Sequence, residues 1–177
     1  MPRLRWLAAA SAAMSLGSVA VACSLQILWG LQPCPMCILQ RYALLVIALA
    51  SLLSALYPER GVRALRWLIT VAALAGVAAS LRIQWVISVP SATCGRDAWA
   101  TFFNKLPMAQ WWPGLFESTG ICGDKVPPVL GVPFHIWSLL LFLGLALLAW
   151  APKLMSCCVG KSCTAKPPAA MLPDNQH

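Results

Sequence analysis

The sequence predicts an all-α membrane protein, a bundle of four transmembrane helices with a long outer loop that carries short interfacial helices. Composition is the first reason: of 177 residues, 60% are hydrophobic and only 10% charged, where a soluble domain carries about a quarter charged. The second is spacing, because uncharged runs recur at roughly the 20-residue length that a helix needs to cross about 30 Å of hydrocarbon. The net charge of +8 and pI near 9.4 would point to nucleic acid in a soluble protein. Here no Lys/Arg patch is interleaved with aromatics on a soluble face, which argues against nucleic acid and leaves the lipid bilayer as the surrounding partner.

The first uncharged stretch runs from Trp6 to Leu31. Arg3 and Arg5, the apolar run and Ala20-Val21-Ala22-Cys23 together look like a secretory or lipoprotein signal. The run, however, continues eight residues past Cys23, and Ala20 stands where a lipoprotein signal usually has Leu, so a retained first helix fits better. The second span runs from Tyr42 to Tyr57, extensible back to Ile38. The third runs from Trp67 to Leu81 and on past Arg82 to Val89, and the fourth from Phe134 to Trp150. Long runs without alternation fit helices, not the strands of a closed barrel, the other structure that satisfies its backbone in lipid.

Basic residues orient the bundle, since cytoplasmic flanks carry their excess. Arg3, Arg5, Arg60, Arg63, Arg66, Lys153, Lys161 and Lys166 fall on one side of four spans. On the other side Arg96, Lys105 and Lys125 are balanced by Asp97, Glu117 and Asp124. Both termini are therefore expected in the cytoplasm, with residues 1–152 forming the membrane domain, 90–133 its outer loop, and 153–177 a disordered cytoplasmic tail.

This partition sorts the eight cysteines. Cys34, Cys37, Cys94 and Cys122 fall outside, where disulfides are permitted, and Cys157, Cys158 and Cys163 inside, where thiols stay reduced. The inner three could hold a soft metal, but no His stands beside them, and a reduced tail is the plainer reading. Cys23, within the first span, reads as a small buried hydrophobe. The outer loop carries Trp99, Phe102, Phe103, Leu106, Trp111, Trp112, Leu115 and Phe116, an aromatic and aliphatic set suited to the headgroup region. Pro107, Pro113, Pro127 and Pro128 divide it into short helices.

Cys34-Pro35-Met36-Cys37 is a C-x-x-C pair, a spacing shared by redox dithiols and half zinc sites. Its place is more telling than its spacing. It opens the second transmembrane helix, with Pro35 in the tolerated first turn, so the Cys37 sulfur lies near the positive end of the helix dipole. Arg41, four residues on, shares that face and stabilises a thiolate there, although an arginine at such a depth can also be a snorkelling anchor. Cys94 and Cys122 form a second outer pair separated by 27 residues. Four-cysteine zinc binding is disfavoured by that spacing. A structural disulfide, or a relay passing two electrons by thiol–disulfide exchange, remains open from the residues alone.

The residues from Cys34 to Cys37 and Ile38-Leu39-Gln40-Arg41 resemble the C-x-x-C-x3-R signature of the disulfide bond formation protein B (DsbB) family. Ala92-Thr93-Cys94, Pro113 to Phe116 leading to Gly120-Ile121-Cys122, and Trp137-Ser138-Leu139 at the fourth helix resemble it as well. The likeness covers roughly residues 5 to 152, and Gln40 stands where some members carry Glu. The resemblance implies an enzyme of the bacterial inner membrane, a thiol:quinone oxidoreductase that reoxidises a periplasmic thioredoxin-fold (DsbA-like) thiol oxidase and passes the electrons to ubiquinone or menaquinone. It further implies that Cys94 receives the partner's attack, that Cys122 resolves it and exchanges with Cys34, and that Cys37 faces the quinone with Arg41 beside it.

Two other classes compete. A structural four-helix scaffold with a disulfide-stapled loop needs no C-x-x-C at a helix start. A vitamin K epoxide reductase-like enzyme normally carries its redox pair near the last helix, whereas here it opens the second. Arg82 and Gln84, polar residues in the outer part of the third span, fit either a cavity or snorkelling. His135 reads as interfacial.

Overall fold

The computed structural model describes residues 2–57, 61–89, 98–122 and 131–160, with side chains for 5–57, 61–89, 98–122 and 131–151. Seven helices follow in order: α1 (Pro2–Trp29), α2 (Pro35–Leu56), α3 (Val62–Ser88), α4 (Ala98–Asn104), α5 (Pro107–Trp111), α6 (Pro113–Phe116) and α7 (Phe134–Gly160). Four contain stretches long and apolar enough to cross a membrane, namely Arg5–Trp29, Pro35–Leu56, Val62–Ser88 and Phe134–Ala151. The protein is an all-α membrane protein with four such helices, as its composition and spacing predict. The helical backbone of α7 runs on to Gly160, past the boundary at 152 read from the sequence. Residues 161–177, with Cys163, lie outside the described residues.

Helix α2 is the centre of the bundle, packed along α1 on one side and α3 on the other; α3 also packs along α7, while α1 and α7 barely meet. Lipid tails are as apolar as leucine, so helices in a membrane gain by close backbone approach, which small side chains permit. The interfaces follow that rule. Ser11, Ala12 and Ser15 are buried on α1, Ala43, Ala48, Ala50, Ser51 and Ser54 on α2, and Ala72, Ala73, Ala79 and Ser80 on α3. The hydroxyls of Ser11, Ser15, Ser54 and Ser80 donate to carbonyls one turn back in their own helices, so their burial leaves no unmet donor. Large apolar side chains such as Leu49, Leu74 and Leu147 point outward, where a bilayer supplies the apolar medium that water would not.

Gly76 shows how tight the α3–α7 contact is. A Cβ at this position would lie 2.3 Å from the ring of Phe142, which is completely buried within the core formed by Ile47, Ala73 and Leu145. Farther along the same pair, toward the C-terminal end of α7, Trp150 donates its indole N–H to Thr70 Oγ1 at 2.9 Å and meets Trp67 edge-on, ring centroids 5.5 Å apart. Toward the opposite end, Gln84 of α3 is hydrogen-bonded to His135 of α7, and Arg82 lies over the Trp85 ring at 4.5 Å from its centroid. The two polar residues of the third span are thus partnered at one end of the bundle.

Between α3 and α7, the described residues 98–122 carry three short helices. Pro107 and Pro113 stand in the first turns of α5 and α6, where a missing N–H costs no hydrogen bond. Pro127 and Pro128 lie outside the described residues.

Gly76→Ala should lower stability by about 1–3 kcal/mol, because the buried Phe142 ring cannot yield space. Gly144→Ala in α7, whose added Cβ would meet nothing within 4 Å, is the matched control. Thermal unfolding in detergent should show a lower midpoint for the first variant only; equal midpoints would mean that the α3–α7 seam is not closely packed.

Candidate active site

The start of α2 brings the C-x-x-C pair together. Cys34 is the N-cap, in extended conformation (φ −80°, ψ 163°), and its sulfur accepts a hydrogen bond from the backbone N–H of Cys37 at 3.3 Å. The cap answers one of the amides that every helix leaves unpaired at its beginning. The two sulfurs lie 2.9 Å apart, hydrogen-bonded, and both thiols are free. The hydrogen bond to the Cys37 sulfur, followed by burial, pushes the Cys34 thiol above its ordinary range. Cys34 therefore keeps its proton, and Cys37, at the positive end of the helix dipole with Arg41 one turn on, is placed to carry negative charge.

The two cysteines face different surroundings. Cys34 is buried in a cluster with Met36, Ala79, Ile83, Val86 and Cys122. Cys37 packs against the edge of that cluster and, unlike Cys34, also lines a cavity of about 700 Å³ between α1, α2 and α7. Cys122 is brought to the first cluster by a backbone contact: Gly120 donates its N–H to the carbonyl of Pro33 at 3.1 Å. Gly120 also sits so close to the chain before Cys34 that a Cβ there would lie 2.1 Å from the Gln32 carbonyl oxygen. Farther back, Ser118 N–H donates to Asn104 Oδ1 at 2.7 Å and Asn104 Nδ2 to the Ser118 carbonyl at 3.2 Å, fixing the strand of chain that leads from α6 to Cys122. Cys122 is disulfide-bonded, whereas Cys23, Cys34 and Cys37 are free. Cys94 itself lies outside the described residues.

The cavity occupies the seam where α1 and α7 barely meet. Its lining on α1 runs from Met14 to Trp29, about 22 Å at 1.5 Å per residue. Most of the wall is apolar, with Leu25, Leu44, Phe134, Trp137 and Leu141 among it, and Cys37, Gln40, Arg41 and Gln26 stand toward the beginning of α2. Gln40 Nε2 donates to Ser80 Oγ at 2.9 Å, and Ser80 lies 3.5 Å from Ser138 Oγ. An amide at 40 is thereby held by a hydroxyl of α3, which itself is bonded to one of α7.

Arg41 is buried, 6% exposed. Its guanidinium donates to the carbonyl of Leu115 and, at 2.6 Å, to Gln26 Oε1. A snorkelling anchor would reach toward headgroups; this side chain turns inward between the cavity and α6. Tyr42, next in sequence, packs against Phe103 of α4 and Phe116 of α6, ring centroids 6.2 Å and 5.6 Å away. Gln26 escapes sequence reasoning, although a polar side chain within an apolar span was a signal that could have found it.

Gly120→Ala should undock the Cys122 segment and expose Cys34. Alkylation of Cys34 by a water-soluble maleimide, located by peptide mass spectrometry, should accelerate about tenfold, the factor carried by roughly 1.4 kcal/mol. Gly114→Ala, with open space around its Cβ, should leave the rate unchanged. Equal rates in the two variants would show that Gly120 does not hold the segment.

Comparison with known proteins agrees with this arrangement. Residues 4–152 match the family model described as Disulfide bond formation protein DsbB. The chain is 42% identical over 125 residues to Disulfide bond formation protein B 1 of Pseudomonas savastanoi pv. phaseolicola, covering 70% of this chain and 74% of that protein. It is 39% identical over 147 residues to Disulfide bond formation protein B 2 of Burkholderia lata, covering 82% and 87%. Disulfide bond formation protein B of Ralstonia nicotianae is 41% identical over 139 residues, covering 77% and 85%. With a helix-capping dithiol, a third cysteine docked against it and four membrane-crossing helices, the chain belongs to the DsbB family of membrane disulfide bond formation proteins.

Proposed function

We propose that this protein is a quinone-dependent thiol oxidoreductase of the bacterial inner membrane, with both termini cytoplasmic, that reoxidises a periplasmic DsbA-like thiol oxidase. The observation that carries the reading is that the dithiol joins two surroundings: Cys34 lies in a buried cluster with Cys122, against which Cys37 also packs, and Cys37 in addition lines the cavity. Such a dithiol stands between a disulfide to be exchanged and an electron acceptor to be reduced.

In this reading Cys94 and Cys122 form the outer disulfide. A thiolate of the reduced partner attacks Cys94 and releases Cys122; Cys122 then attacks Cys34 of an oxidised Cys34–Cys37 pair, releasing Cys37 as thiolate. The partner's second thiolate attacks its own sulfur in the mixed disulfide and releases Cys94, which resolves the Cys34–Cys122 bond and restores the outer disulfide. The dithiol is left reduced.

The cavity fits a quinone. Its volume lies within the roughly 300–1,000 Å³ of ligand pockets, its length suits a prenyl tail, and Arg41 brings N–H donors to an otherwise mostly apolar wall. A quinone bound there supplies a two-electron, two-proton acceptor, so that overall two partner thiols become a disulfide and quinone becomes quinol. Cys37 is the cavity-facing sulfur. Arg41 holds positive charge beside it and offers planar N–H donors to a developing oxyanion.

The test is quinone loss, followed optically, with purified protein in nanodiscs and a reduced thioredoxin-fold thiol oxidase. Ser at Cys34, Cys37, Cys94 or Cys122 should abolish turnover, whereas Ser at Cys157, Cys158 and Cys163 together should preserve it. Arg41→Lys should raise the quinone KM by about tenfold, as expected for losing a charge-assisted hydrogen bond of roughly 1.5–3 kcal/mol, and Arg41→Ala should raise it further. Turnover that survives loss of any outer cysteine would refute the relay, and an unmoved quinone KM would return Arg41 to a structural role.

A further inference from the structure

Gln26 has no part in the relay just described, yet its side chain is bonded in both directions. Its Nε2 donates to the carbonyl of Gly114 at 2.6 Å, and its Oε1 accepts from Arg41 at 2.6 Å. Arg41 in turn donates to the carbonyl of Leu115, the residue after Gly114. Helices α1, α2 and α6 are thus joined by one closed set of contacts, made by residues that are 15, 74 and 88 positions apart in sequence. A polar amide inside a membrane-crossing helix is costly unless its hydrogen bonds are met, and here both ends are met.

Helix α6 needs such support. It has four residues, too few to be stable alone when even isolated helices of about 12 residues are marginal. What holds it is the burial of Phe116 against Tyr42 and the two carbonyl contacts from Gln26 and Arg41. The chain leaves α6 through Ser118 and Gly120 directly to Cys122. Gln26 and Arg41 also line the cavity that Cys37 faces. The contacts that seat α6, from which the chain runs on to Cys122, are therefore the contacts that hold the guanidinium at the cavity wall, and they add to the Gly120–Pro33 contact that docks the Cys122 segment itself.

We propose that Gln26 is a positioning residue, a two-armed clamp that fixes α6, and with it Cys122, over the start of α2 while holding Arg41 at the cavity. This deepens the relay reading and rests on it for the role of Cys122 and Arg41. Gln26 itself touches no reacting sulfur in the arrangement; it acts through the two elements that do.

The clamp is tested by hydrogen exchange and mass spectrometry on the full chain in nanodiscs with its disulfide intact. The amides of Leu115, Phe116 and Glu117, which bond within α6 to the carbonyls of Trp112 and Pro113, report its docking. Gln26→Leu removes both arms and should speed their exchange about tenfold, the factor lost hydrogen bonds of this kind carry. Gln26→Glu keeps an acceptor for Arg41 but cannot donate to Gly114, so its exchange should fall between wild type and Gln26→Leu. In both variants the four long helices should exchange as in wild type. Unchanged α6 exchange in Gln26→Leu would overturn the clamp, as would faster exchange spread over the long helices, and Glu and Leu variants that exchange alike would overturn its second arm. Wild-type quinone reduction, measured on the same preparation, is a separate readout: its absence would remove the oxidoreductase reading, while the exchange pattern would still decide the clamp.

Discussion

The beginning of α2 is the constraint on which the rest of the site depends. A helix that starts at the edge of a membrane leaves amide N–H groups with no partner in its own turns. Here a cysteine sulfur takes one of them, so the group that caps the helix is also half of the C-x-x-C pair. Capping fixes the Cys34 side chain, the helix turn puts Cys37 within hydrogen-bond reach of it, and the next turn puts Arg41 on the same face. The pair's geometry follows from secondary structure, without a loop that would have to be held rigid by other means.

Around this start, two seams of different quality divide the labour. The α2–α3 side is closely packed with small residues, and Cys34 belongs to it. The α1–α7 side is left open as a cavity, and Cys37 belongs to that. Close packing buries one sulfur, and the open seam leaves the other at the wall of a mostly apolar cavity. The short helices of the outer segment close the arrangement from above: Tyr42 seats two of their rings, and Gly120 permits the backbone approach that brings Cys122 in.

Much of this was legible in the sequence because it is local. Hydropathy runs of helix length mark the four long helices, and the three-residue spacing of Cys34 and Cys37 with Arg41 four further on is read directly as one helix face. Pro107 and Pro113 mark helix starts for a reason that needs no tertiary context. What could not be read is long-range. From the sequence Arg41 fits either an anchor or a functional group, and its partners Leu115 and Gln26 decide between them; Gln26 escapes sequence reasoning because its partner Gly114 lies 88 positions away. Gly120 was noticed as part of a motif, but its reason, the carbonyl of Gln32 against its Cα, exists only in the folded chain. Gln84 resolves in the same way, through His135, 51 positions on.

The central claim is that Cys34, and not Cys37, is the sulfur that exchanges with Cys122. Disulfide mapping of Cys37→Ser protein tests it most directly: there Cys34 can attack Cys122 of the outer disulfide and release Cys94, and alkylation of the freed Cys94 thiol keeps it from reversing the exchange. Peptides linked through Cys34 and Cys122 should accumulate in that variant, and no Cys37–Cys122 peptide should accumulate in Cys34→Ser. Linkage of Cys122 through Cys37 in the second variant at the level seen through Cys34 in the first, or no linkage in either, would contradict the account.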